Sequence, residues 1–316
     1  MGPLVLCVCL CLSIAPQSSA EAVEIRLNPV KEQPLRFLVA QDIATQMKFA
    51  GTEIGMKLSV EMEMKVSFRE EAQGLYQFDV LFERVGGTID SPLGGKTEFY
   101  SEDGKSEYPG LFNPKVLQLK TLTGKTIQAF VSATGAVDRV EGYAEIFAGT
   151  EIEQELKRGG ELLTNESFRD DVQMLFVLLP AGAVRKSEGW ETPFPMNLFE
   201  NEITFHPRHE LVEATETLAR WTFLAAGENP DAAEEEKKAA EAGAQKPRAF
   251  VTSADVRNAS LNGEAVVSRK DGLPLRQAFE LVLEIQLPSP VSEGLIPTVL
   301  NQRVETRRLD APSKDG

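Results

Sequence analysis

The chain has 316 residues, 42% of them apolar and 26% charged, with 33 Lys and Arg against 48 Asp and Glu for a net charge of -15. This composition excludes a low-complexity chain and a multi-span membrane protein, and the length is ample for a hydrophobic core. The acidic balance also excludes a general nucleic-acid binder, whose affinity rests on Lys and Arg displacing counterions from phosphates.

Residues 1–20 carry no charged side chain, and the run from Pro3 to Ile14 is almost wholly apolar. With small residues at Ser18 and Ala20, the segment reads as a secretory signal peptide cleaved after Ala20, although Met1-Gly2-Pro3 lacks the usual basic residue. An apolar run of about 12 residues is too short for a hydrocarbon core of ~30 Å, so no transmembrane span is expected in the mature chain. The expected location is therefore periplasmic or extracellular. Cys7, Cys9 and Cys11 all lie in this segment, so residues 21–316 hold no disulfide, thiol nucleophile or thiolate metal site.

From Met56 to Arg69 the apolar residues Met56, Leu58, Val60, Met62, Met64, Val66 and Phe68 alternate strictly with polar ones, the signature of a half-buried strand. After a polar turn at Glu70 to Gly74, Tyr76, Phe78, Val80 and Phe82 continue the pattern, so the two runs form a hairpin. A short helix is expected over Lys115 to Leu122. Lys125 to Ser132 and Ala136 to Gly142 read as a second hairpin around Ala133-Thr134-Gly135. A further helix, broken near Gly159-Gly160, is expected over Glu151 to Leu163. The clearest helix is Thr164 to Leu179, with Phe168, Val172, Leu175, Phe176 and Leu179 at helical spacing, Thr164 and Asn165 or Ser167 as caps, and Pro180 as its stop.

Pro180 to Pro195 is the expected seam if the chain divides. Strands are expected at Asn201 to Phe205 and Leu211 to Leu224, followed by a flexible charged insertion at 226–247 without apolar periodicity. Asp271-Gly272 turns a strand around Glu264 to Ser268 into a second long one from Leu273 to Leu287. Its inner face carries Leu273, Leu275, Phe279, Leu281, Leu283, Ile285 and Leu287, with Gln277 as the only polar interruption. Thr298 to Leu309 reads as a basic strand whose Arg303, Arg307 and Arg308 suit a sheet edge.

Chemistry-bearing motifs are few. Gly95-Lys96-Thr97 and Gly124-Lys125-Thr126 lack the second glycine of a phosphate-cradling loop and read as turns. His206 and His209 are the only histidines and read as part of a surface loop, too few for a metal site without carboxylate help. No G-x-S-x-G elbow occurs, and none of the 48 acidic residues is singled out as a pair. The chain is thus read as non-enzymatic and without a cofactor. The methionines at 56, 62 and 64 share their face with Leu58, Val60, Val66 and Phe68, which reads as core rather than a copper site. Asn165-Glu166-Ser167 and Asn258-Ala259-Ser260 are sequons that matter only in a glycosylating host.

Gly135-Ala136-Val137, Val140-Glu141-Gly142, Leu178-Leu179-Pro180, Val184 and Gly189-Trp190, in that order, resemble an uncharacterised family of exported bacterial proteins classed as a domain of unknown function. That resemblance implies no activity. The arrangement of long strands is also similar to the half-barrel of periplasmic lipoprotein carriers, which implies a curled antiparallel sheet wrapped around an apolar helix.

The expectation is an α+β protein, a single β-rich domain over residues 21–316: an open half-barrel of long antiparallel strands covered by one or two helices. It acts as a scaffold or envelope interaction protein through its surface, with an unidentified protein as partner. The alternative is a carrier of a lipid or other apolar ligand in a cavity lined by Met62, Met64, Phe68, Phe279, Leu281 and Leu283.

Overall fold

The computed structural model describes residues 22–310 except 32, 50, 93, 105–112, 159–162, 199–200, 229–254 and 289–294. The expected signal peptide, the expected helix break near Gly159-Gly160 and nearly all of the expected charged insertion lie outside the described residues. Among the described residues no helix is long and apolar enough to cross a membrane.

The alternating stretches become strands of one antiparallel sheet. They are β1 (Leu35–Phe49), β2 (Thr52–Ala72), β3 (Leu75–Ser91), β4 (Gly95–Tyr100), β5 (Thr126–Ser132), β6 (Val137–Glu141), β7 (Gly189–Glu191), β8 (Phe194–Leu198), β9 (Asn201–Phe205), β10 (Arg208–Ala214), β11 (Leu218–Glu228), β12 (Asp255–Ser268), β13 (Pro274–Pro288) and β14 (Leu295–Arg308). Their spatial order is β6-β5-β3-β2-β1-β14-β13-β12-β11-β10-β7, with β4 on β3 and the β8–β9 hairpin joined to β11. The end strands β6 and β7 are not paired to each other, so the sheet is open.

The helices are few and short: α1 (Asn113–Leu122), α2 (Tyr143–Phe147), α3 (Glu151–Arg158) and α4 (Asn165–Gln173). The anticipated 56–69 strand lies within β2, which at 21 residues and ~3.3 Å per residue reaches about 70 Å. Its hairpin to β3 turns on Gln73 and Gly74, both at positive φ, as a two-residue primed turn requires.

Four expectations are corrected, and one strand is added that the sequence reading did not include. The stretch at 298–309 is not an edge: β14 is held between β13 and β1. Strand β1 goes unread in the sequence because Gln41 and Thr45 interrupt its alternation, yet both are buried on the inner side. The run at 211–224 is two strands, β10 and β11, folded at Thr215–Thr217, where the Leu218 N–H donates to the Thr215 hydroxyl. His209 is no surface-loop residue but a buried one on β10.

The last correction concerns the helix at 164–179, which ends at Gln173. Met174 to Val177 are all buried, so no polar face remains for a helix to offer solvent. Instead, tertiary partners take the backbone: Thr306 donates its hydroxyl to the Met174 carbonyl at 2.8 Å, and the Leu179 N–H donates to the Thr134 carbonyl at 2.8 Å. The helix start is as read, with Thr164 accepting from the Ser167 N–H in a capping box.

One face of the sheet carries the core. Phe78 packs on Phe176 and Phe82 on Phe168, so α4 and the strap after it, residues 174–178, lie on β2 and β3. The opposite face carries ion pairs such as Arg69–Asp79, Lys57–Asp42 and Arg276–Glu305.

Candidate cleft on the inner face

The buried apolar residues fall into two clusters rather than one. The larger gathers under α1, α4 and the 174–178 strap. The smaller gathers under the β8–β9 hairpin, with Ile203 and Phe205 over Ala225, Ala259, Leu261, Leu281 and Leu283. Phe223 and Phe279 are half-buried and touch both clusters. The gap between the clusters is a cleft of about 230 Å³.

Register explains its floor. Trp190, His209, Phe223, Gly263, Phe279, Val304 and Gln41 sit opposite one another in a single row across β7, β10, β11, β12, β13, β14 and β1. The neighbouring row runs Leu211, Trp221, Ala265, Gln277, Thr306 and Val39. At the centre of the first row Gly263 has no side chain, and the Phe223 ring occupies the space: a Cβ there would come within 2.6 Å of Phe223 Cζ. Met174, Phe176, Val177 and Leu178 form one wall, while Phe194, Met196 and Pro207 form the other.

The strap wall is fixed by Gln173, a buried residue whose amide satisfies three backbone groups. Its Oε1 accepts from the Val137 N–H at 2.8 Å, and its Nε2 donates to the carbonyls of Gly135 and Phe176 at 3.0 and 3.2 Å. Gly135 has φ 78°, and any Cβ would lie 1.9 Å from the Val177 carbonyl oxygen, so the β5–β6 turn and the strap meet backbone to backbone.

The polar groups of the cleft are less complete. His209 stacks on Trp190, with ring centroids 5.0 Å apart and planes 10° from parallel, and meets Phe223 on its other side at 5.6 Å. Neither of its ring nitrogens has a hydrogen-bond partner, nor do Gln277 Oε1 and the indole nitrogens of Trp190 and Trp221. Burial pushes the His209 imidazole down to about 4, so it is neutral at pH 7. Asp170 and Asp171 are the charged residues on the lining. Arg169 lies 3.2 Å from Asp170, and Lys115 lies 3.1 Å from Asp171.

Of the six residues singled out in the sequence, Phe279 alone lines this cleft. Leu281 and Leu283 are buried under the β8–β9 hairpin. Met62 and Met64 are covered by Phe168, Val172, Met174 and Leu175, leaving a void of about 10 Å³, no more than about one water. Phe68 is half-buried against Tyr76 and Phe78 near another void of about 10 Å³. The lining residues that escaped notice include Phe194, Met196, Phe223 and Gln302. The interruption at Gln277 was visible, but Gln41, Thr45 and Thr306 are buried inward polar residues too and do not line the cleft, so that signal alone does not mark the site.

Among the described residues no group of three or more His, Cys, Asp and Glu could hold a metal ion. A bare apolar cleft with scattered polar atoms supplies binding chemistry: desolvation of an apolar body and a few directional hydrogen bonds.

No family model and no curated protein matches the chain. Among solved structures it is similar to one described as lipid–protein interactions in lipovitellin, with a TM-score of 0.45 and 11% identity over 91% of this chain and 26% of that one. It thus spans about a quarter of that protein's length. Similarity also extends to an outer membrane channel from Pseudomonas putida F1, with a TM-score of 0.22, 6% identity, and coverage of 94% of this chain and 100% of that one. A DUF1329 family protein from Desulfovibrio piger has a TM-score of 0.18 and 9% identity, covering 89% of each chain.

Proposed function

We propose that this chain is an exported, non-enzymatic binder or carrier of an apolar ligand, held between the 174–178 strap and the β8–β9 hairpin on the inner face of an open half-barrel. The observation that carries the reading is the split core: a cleft of about 230 Å³ where a folded sheet would ordinarily close its apolar faces on each other. Its floor is aromatic, its walls are Met, Phe, Val and Pro, and Gln173 holds one wall rigid, so the space is preformed.

The test is direct. Organic extracts of natively purified protein are examined by mass spectrometry, and the stripped protein is titrated with the small uncharged fluorescent dye 2-naphthol. Saturable dye binding is expected, weakened at least about tenfold by Met196→Trp, which fills the cleft from a half-buried wall position. Clean extracts together with no dye uptake would sink the reading, and the chain would then act through its outer surface.

A further inference from the structure

The aromatic rings around the cleft are not all used by the fold. Phe176, Phe194, Phe223 and Phe279 line it together with Met174 and Met196. Phe176 packs on Phe78 with ring centroids 5.1 Å apart, and Phe223 meets His209 at 5.6 Å. Phe194 and Phe279 are half-buried, and among the described residues neither meets another aromatic ring. They stand on different supports, Phe194 on the β8 wall and Phe279 on the β13 floor. Between Phe279 and Phe223 the shared row holds Gly263, so no side chain rooted on β12 separates those two positions.

A ring gains from a second ring beyond the area it buries, in offset or edge-to-face contact, and a thioether adds a favourable contact at a ring edge. An alkyl chain collects neither. A chain must also freeze its rotatable bonds to lie in a preformed space, whereas a ring arrives rigid. Gln173 and Thr306 hold the strap wall in place, so the space does not reshape itself around a flexible guest.

Size and charge narrow the class. A cavity of about 150 Å³ holds benzene, with its six heavy atoms. By proportion, about 230 Å³ encloses about nine heavy atoms, the scale of one substituted ring or a small fused pair. Among the described residues no Lys or Arg lines the cleft, while Asp170 and Asp171 do, and Arg169 and Lys115 already face those aspartates. An anionic guest would give up its hydration there and find no cation in return.

Resting on the cleft being a ligand site, we propose that its ligands are small uncharged aromatic molecules, seated between Phe194 and Phe279, in preference to alkyl chains, saturated rings and anions.

The experiment compares three probes matched in heavy-atom count on the stripped full chain, by isothermal titration calorimetry at pH 7.5. Acetophenone is the aromatic probe, cyclohexyl methyl ketone its saturated counterpart and benzoate its anionic isostere. Acetophenone is expected to bind at least about fivefold more tightly than the saturated ketone and at least about tenfold more tightly than benzoate. Phe279→Leu and, separately, Phe194→Leu should each lower the preference for the aromatic ketone at least about twofold while both ketones still bind.

Equal binding of the two ketones to the unmodified chain overturns the proposal without any variant. Benzoate binding as tightly as acetophenone overturns it too, as does an aromatic preference untouched by both substitutions. Binding of 2-naphthol without binding of acetophenone also overturns it and leaves the cleft reading standing. Clean extracts with no binding of the dye or any probe remove the cleft reading itself.

Discussion

His209 shows how one residue's environment becomes a property of the whole chain. Unfolded, the imidazole takes a proton near pH 6.5; folded, it does so only near 4 because the ring is buried between Trp190 and Phe223. Between those values the unfolded state binds more protons, so stability falls as the pH drops through this window, by up to about 3 kcal/mol. Urea midpoints at pH 7.5 and 4.5 measure the loss. His209→Phe should reduce it by that amount, because the replacement removes the titrating group and keeps the stacking. An unchanged pH slope in the variant would show that the imidazole is not held neutral.

Gly263 is the second decisive residue. A methyl group there would approach Ala278 O to 2.4 Å and Phe223 Cζ to 2.6 Å, so the ring must swing away from the floor. Gly263→Ala is expected to lower stability by about 1–3 kcal/mol, as overpacking does. It should also weaken dye binding, since the displaced ring has the cleft as its nearest free space. Thermal unfolding and the dye titration read the two effects separately.

At the scale of elements, the strap after α4 matters more than the helix. Residues 164–173 follow local rules: Thr164 caps the start, and Phe168 and Val172 face the sheet. Residues 174–178 leave the helix through two turn hydrogen bonds, from the Leu175 and Phe176 N–H groups to the Val172 and Gln173 carbonyls, and are then positioned by the Gln173 side chain and Thr306. Gln173→Leu removes three hydrogen bonds and leaves the buried Val137 N–H without its acceptor, which should destabilise the protein by about 3 kcal/mol. The wall of the cleft should loosen with it. Hydrogen exchange at Leu175 to Leu179 is expected to rise well before exchange in β2; uniform change across the chain would show that the strap has no local role.

For the whole molecule, the governing feature is that β1 and β14, near opposite ends of the sequence, pair along their lengths from Phe37–Arg308 to Met47–Thr298. This pairing joins the β2–β6 half of the sheet to the β7–β13 half. Loop closure over such a separation precedes any reward from contacts, so folding is expected to be slow, milliseconds to seconds or longer. A chain beginning at Thr52 would leave β2 and β14 as long unpaired edges with exposed apolar faces. Such a truncation should aggregate or lose its near-UV circular dichroism, whereas a native-like spectrum would mean that the two halves fold apart.

Period-two alternation is a local property of the backbone, so β2, β3 and β13 could be read from side chains alone, as could the N-terminus of α4 and the hairpin at Gly135. What the alternation could not convey is which strand lies beside which, because pairing depends on residues far apart in the chain. Only the fold revealed that a basic strand lies mid-sheet and that a histidine thought to be in a loop is buried beneath a tryptophan. The cleft belongs to that second kind of information: an apolar face reads identically whether a helix covers it or a gap is left above it. Here Gly263, the strap and the β8–β9 hairpin decide between the two.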